Sequence, residues 1–167
     1  PDMKRFQQFL PKERCTYLFS ATIPVNVKRL AQEFMRKPKF LSLCPTEVSV
    51  SSMEHVYYVV DPQDKDKALL QIIEFENPES AIIFFNTRRD TGYIHEYLKA
   101  RGLRVGVISG DVEQKARQKV IRDLKTGSIR FLVATDVAAR GIDIQGLTHV
   151  FMYDHPDDPE VYVHRAG

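Results

Sequence analysis

The sequence has no apolar run long enough to cross a bilayer. Its longest, such as "AIIFF" at 81–85, fall far short of the roughly 20 residues a spanning helix needs. The first residues, "PDMKRFQQFL", contain no apolar signal core. There are only two cysteines, Cys15 and Cys44, with neither a pairwise metal spacing nor a disulfide framework. Both stand in apolar-looking segments, so buried free thiols in a reducing cytoplasm are expected. The net charge is only +2, so composition alone does not announce a nucleic-acid binder, and any basic surface must come from local clustering. There is no internal repeat and no low-complexity tract. What is present is an ordinary globular balance, 43% hydrophobic and 28% charged, in 167 residues. That length suits one domain, or one domain plus a piece of another.

Apolar β-rich runs alternate with amphipathic stretches. Strands are expected at 16–19, 40–43, 55–60, 81–85, 104–108, 130–134 and 148–152. Several are near-continuous Val, Ile, Phe and Leu, the pattern of strands buried on both faces. Helical spacing places Val27, Leu30, Ala31 and Phe34 on one face of 24–36, and Leu69, Ile72 and Ile73 on one face of 65–75. Segments 89–100 and 113–125 also read as helices. Such alternation predicts βαβ units, an α/β fold and a parallel sheet flanked by helices. The stretch 45–54, "PTEVSVSSME", breaks the pattern and reads as a linker. The segment before it has too few elements to bury its own sheet. It reads as the end of a preceding domain. The initial proline and the final "VYVHRAG" are expected to be cuts within a longer protein.

Ligands of open parallel sheets bind beyond the carboxyl ends of the strands, so those exits are where chemistry is sought. After 16–19 comes "SATIP", where Thr22 suits a helix cap and Pro24 a first helical turn, leaving Ser20 unexplained. After 81–85 comes "NTRRD". Asn86 or Thr87 can cap the next helix, whereas Arg88 and Arg89 oppose the helix dipole unless an anion binds there. After 104–108 comes "SGDVEQKARQK". Gly110 permits a tight turn, Asp111 and Gln114 have capping-box spacing, and Lys115 and Arg117 add cations near the first turn. After 130–134 comes "TDVAARGIDI", a short turn capped by Thr135 or Asp136, ended by Gly141 and followed by Asp143. Three helix starts on one sheet edge would form a row of phosphate sites, suited to tracking a nucleic-acid backbone without reading bases.

"SAT" at 20–22, "VATDVAARGIDI" at 133–144 and "YVHRAG" at 162–167 resemble motifs III, V and VI of the DEAD-box ATP-dependent RNA helicases of superfamily 2. "IIFFNTRRD" at 82–90 is similar to motif IV, and "SGDVEQKARQKVIRDLKTG" at 109–127 to the adjoining Gly-Asp, Gln and Arg motif. The motifs occur in family order and cover nearly the whole chain. The resemblance implies two RecA-like domains, with ATP and Mg²⁺ between them and RNA crossing both. Positions 1–44 would end the first domain, 45–53 would link, and 54–167 would form most of the second.

Carried over motif by motif, Ser20 and Thr22 couple the ATP site to domain closure driven by RNA. Asn86, Thr87, Arg88, Gly110, Asp111, Arg117 and Thr135 hold the RNA sugar–phosphate backbone, with Gln114 a weaker member. Gly141 and Asp143 fall on the nucleotide side, Asp143 at a position that contacts the ribose. His164 and Arg165 open motif VI and face the closed site between the domains. The sequence departs from the family in having Ser109 where histidine is usual and Leu124 where an aromatic is common, the latter a core position. It contains no G-x-x-x-x-G-K-[ST] phosphate loop, no D-E-A-D run and no further motif VI arginines. The magnesium ligands are therefore expected outside this chain.

Two classes of function stay open on the sequence: part of an RNA-unwinding ATPase, or a non-catalytic RNA-binding module. A DNA-acting relative is a third possibility, since phosphate contacts do not exclude DNA. Phosphoryl transfer depends on positioning and charge stabilisation, with an arginine finger alone worth about 10³–10⁵ in rate. The 167-residue chain is accordingly expected to release no phosphate from ATP above background with saturating RNA and magnesium. RNA-stimulated release abolished by Asp143→Ala would contradict this.

Overall fold

The computed structural model describes residues 5–6, 8–20, 25–41, 53–139, 142 and 146–166. The chain divides into two compact units, Pro1–Ser49 and Val50–Gly167.

In the first unit the described helix is α1, Val25–Phe34. Val27, Leu30, Ala31 and Phe34 form its half-buried face, and no described residue of the unit is buried. The expected strand at 16–19 is absent. Tyr17 and Phe19 stack on each other at 6.4 Å and stay exposed. A strand exists only by pairing, and no described segment pairs with this one, whatever its β-rich composition. Residues 40–41 are likewise irregular, while 42–43 of that expected strand and most of the 45–53 linker lie outside the described residues. Cys15 is free but exposed, against the expectation of burial. Cys44 lies outside the described residues.

The second unit is a four-stranded parallel sheet in the order β2-β3-β1-β4. The strands are β1 Ala81–Phe85, β2 Val105–Ile108, β3 Phe131–Thr135 and β4 His149–Met152. The helices are α2 Lys65–Glu76, α3 Arg88–Lys99, α4 Gln114–Lys125, α5 Asp136–Ala139 and α6 Pro159–Ala166. The central strands β1 and β3 are buried along their whole length, as their apolar runs, Ala81–Phe85 and Phe131 to Ala134, require. Alternate residues feed two cores. Ala81, Ile83, Phe85, Phe131 and Val133 pack with Leu69 and Ile73 of α2 and Ile94 and Leu98 of α3. Ile82, Phe84, Leu132 and Ala134 pack with Leu124 of α4 and Ala138 of α5. Each large side chain fully buried this way contributes about 1.5–3 kcal/mol.

Local chemistry sets the helix limits. A 3₁₀ turn, Pro62–Asp64, leads into α2, and the Asp61 carboxylate accepts the Gln63 N–H at 2.9 Å. Asn77 ends α2 in the left-handed region, φ 46°, donating its N–H to the Ile73 carbonyl at 3.0 Å. The stretch 55–60, expected as a strand, carries no regular secondary structure. Val56, Tyr57 and Val59 are exposed. The stretch is tied by side chains instead, His55 to Tyr162 at 2.6 Å and Tyr58 to Glu76 at 3.0 Å. Without a buried face its β-branched and aromatic composition has nothing to pack against.

Gly106 of β2 lies where a Cβ would stand 2.5 Å from Ile129 Cδ1 and 2.8 Å from Val120 Cγ1. The strand approaches α4 closely only because the side chain is missing. Gly106→Ala should destabilise the second unit by about 1–3 kcal/mol, the usual cost of overpacking. A denaturant midpoint unchanged from wild type would contradict this.

Candidate nucleic-acid interface

All four strands run parallel, so their exits share one edge. In the β1–β3 register Phe85 stands opposite Thr135, so Asn86 and Asp136 leave the sheet side by side. There the helices part company: α3, following β1, packs on one face, and α5, following β3, on the other. That divergence is the switch point at which open α/β sheets form a crevice. A cleft of about 530 Å³ opens at this place, lined by Asn86, Thr87, Arg88, Gly110, Asp111, Thr135 and Val137. Six of the eight residues expected at the RNA backbone therefore converge. Gln114 and Arg117 sit on the first turns of α4 and are not part of the lining.

Thr87 caps α3: its hydroxyl oxygen accepts the Asp90 N–H at 3.2 Å, and the hydroxyl donates to the Asp90 carboxylate at 2.5 Å. Arg88 and Arg89 thus occupy the first two helical positions, where positive charge opposes the dipole. Arg88 Nη1 meets Asp111 Oδ1 at 2.5 Å, an ion pair with both side chains exposed, 62% and 74%. The expected capping box at α4 is not formed. Glu113 is its N-cap, without a side-chain bond, and Gln114 is the first helical residue. Asp111 is turned to Arg88 instead, since an opposite charge outcompetes a neutral amide partner. At the third exit, α5 has four residues and opens with Asp136, whose carboxylate is paired with Arg165, while Thr135 lines the cleft.

Arg165 does not face outward. Its guanidinium is buried and meets Asp136 through both ends of the fork, Nε to Oδ1 at 2.6 Å and Nη2 to Oδ2 at 2.8 Å. Nη2 also donates to Asn86 Oδ1 at 2.6 Å, and Nη1 to the Asp154 carbonyl. Four N–H contacts within this unit leave one of five for anything else. The expectation that Arg165 serves a contact between domains is thereby replaced by a role inside one. His164, its neighbour on α6, is exposed. Ser20 is exposed in the first unit, and Thr22, Gly141 and Asp143 lie outside the described residues.

Asp154 is a site residue the sequence reading missed. Its Oδ2 accepts the Asn86 backbone N–H at 3.0 Å and its Oδ1 accepts Lys65 Nζ at 3.0 Å. The Asn86 side-chain amide in turn donates to the His155 carbonyl at 3.3 Å. The signal was available in "YDHP", the exit of β4, on the same edge as the other three. Beside it, the Tyr153 hydroxyl donates to Asp66 at 2.7 Å. Its ionisation is pushed well above the ordinary phenol value, first by burial and then by that bond to a carboxylate.

A parallel sheet with helices on both faces and a cleft at its switch point defines a RecA-like α/β domain. Residues 64–167 match the helicase conserved C-terminal domain. The DEAD-box ATP-dependent RNA helicases CshA of Streptococcus pneumoniae and Bacillus subtilis are each 42% identical over 166 residues, 99% of this chain. The chain spans about a third of their length, 32% and 34%. The S. cerevisiae Dbp5 structure bound to RNA and ADP BeF3 aligns with a TM-score of 0.83 and 32% identity, covering 97% of this chain and 43% of that one. A DEAD box protein from Methanococcus jannaschii aligns at 0.66 and 33%, covering 99% and 44%. The chain belongs to the DEAD-box helicase family of superfamily 2.

Removing one partner of a buried ion pair leaves an uncompensated charge. Arg165→Ala should therefore destabilise the second unit by about 3–5 kcal/mol. Chemical denaturation followed by circular dichroism measures this, and a loss below 1 kcal/mol would contradict the bracing role.

Proposed function

We propose that this chain is the part of an ATP-dependent RNA helicase that holds the RNA sugar–phosphate backbone on its second RecA-like domain, in a cycle that uses ATP to open short duplexes. The observation that carries this is the convergence of Asn86, Thr87, Arg88, Gly110, Asp111 and Thr135 in one cleft at the switch point. These residues come from three strand exits and supply hydroxyl, amide and guanidinium donors, beside the exposed side chain of Val137. The polar groups among them suit a sugar–phosphate backbone. The names of the CshA relatives and the RNA in the Dbp5 structure support RNA as the ligand. The ADP BeF3 of that neighbour supports ATP as the nucleotide.

Within this reading, residues 1–44 belong to the first RecA-like domain, 45–53 to the linker and 54–167 to the second domain. Ser20 and Thr22 couple nucleotide to closure, His164 faces the ATP site, and Gly141 with Asp143 meets the ribose side. Gln114 and Arg117 extend the backbone track along α4. In this reading the Mg²⁺ accompanying ATP takes its protein ligands from outside this chain. The protein acts in the cytoplasm in this reading.

The test is binding of a labelled single-stranded RNA, with unlabelled DNA as competitor. Arg88→Ala and Arg117→Ala should each weaken RNA binding about equally across sequences and reduce the log–log salt slope by roughly one. Equal competition by DNA would favour a DNA-acting relative. Altered base preference at constant salt slope would point to base readout and overturn the backbone assignment.

A further inference from the structure

The cleft has an unexpected charge balance. Its lining contains two charged side chains, Arg88 and Asp111, of opposite sign and in contact at 2.5 Å. A surface that is to take up a polyanion therefore presents, at rest, no net charge of its own. The pair links the first residue of α3 to the turn between β2 and α4, across the mouth of the cleft. Arg88 stands where the helix dipole disfavours a cation, so it needs an anion whether or not a ligand is present. Asp111 has no helix to cap, because Glu113 takes the N-cap position of α4. Its carboxylate is spent on Arg88 alone among the hydrogen bonds described.

We propose that Asp111 is an internal stand-in for phosphate: it occupies the anion position at Arg88 when the cleft is empty and must be displaced when a nucleic-acid phosphate enters. This rests on the cleft being the backbone site. Displacement is easy, because an exposed ion pair is weakly held. It is also unavoidable, because a carboxylate left within a few ångströms of a phosphate repels it. Asp111 then acts as a specificity residue. A ligand with several phosphates in register outcompetes it, whereas an isolated anion gains little by replacing one oxyanion with another. Asp111 consequently lines the cleft but weakens phosphate binding at Arg88, a role that replaces the direct backbone contact the family resemblance implies for it.

The experiment is a double-variant cycle on the 167-residue chain, using a short labelled oligouridine, with fluorescence anisotropy read across a salt series. The variants are Asp111→Asn, Arg88→Ala and the pair together. Asparagine is well tolerated in turns, and a thermal melt on each variant confirms folding. Asp111→Asn should bind about three- to fivefold tighter, the gain expected from freeing a weakly paired cation. Its salt slope should steepen by up to about one. In the Arg88→Ala background the same change should yield less than half that gain. Weaker or unchanged binding by Asp111→Asn would overturn the proposal and make Asp111 a ligand contact or a bystander. A full gain persisting without Arg88 would also overturn it, showing a general charge effect. Arg88→Ala that binds RNA as wild type does would instead remove the cleft reading itself, and this proposal with it.

Discussion

The second unit is organised around one buried guanidinium. Arg165 reaches from α6 to Asp136 at the β3 exit, to Asn86 at the β1 exit and to the Asp154 carbonyl after β4. Burying a charge is costly unless paired and fully bonded, and here the bidentate fork supplies both conditions. The Arg165 carbon atom also stands 5.3 Å from the centre of the Phe84 ring, so its flat face is covered as its edges are bonded. Three neighbouring strand ends are thereby tied to a single side chain, two through side chains and one through a backbone carbonyl. Thr87 and Thr135 each adjoin a residue so tied, which preorganises that side of the cleft.

Around that hub, charge is distributed in two tiers. Arg165, Asp136, Asp154 and Lys65 form a partly buried inner set whose partners all come from the fold. Arg88 and Asp111 form an outer set, exposed and able to exchange partners. The inner set resists salt because it is screened little, and the outer set yields to it. Asn86 joins the tiers. Its amide is committed to Arg165 and His155, while the residues following it open the cleft.

The α/β alternation was legible because β1 and the first four residues of β3 are apolar and α2, α3 and α4 keep helical spacing. Their ends fell within a residue or so of expectation. Residues 16–19 and 55–60 misled because β composition was read without asking what backbone would pair with it. Thr87 was legible as a cap because capping is local in sequence. Asp111 was not, because its partner lies 23 residues away and no local rule links the two. Arg165 is the same failure at longer range. Motif resemblance placed it at the right level of the sheet, but only coordinates could tell a buried brace from an outward contact.

Arg165 bonds Asn86 across 79 residues of chain, and Asp136 across 29. Translation adds roughly 5–20 residues per second, so about 4–16 s separate the making of Asn86 from the making of Arg165. Only in the last part of that interval, once β4 has been made, does the nascent sheet have all its strands, and it then still lacks its brace, with no Arg165 to meet Asp136. The cleft at the switch point is thus among the last parts of this unit to be braced. A ribosome stalled a few codons short of Arg165 would hold a nearly complete sheet whose cleft is still unset.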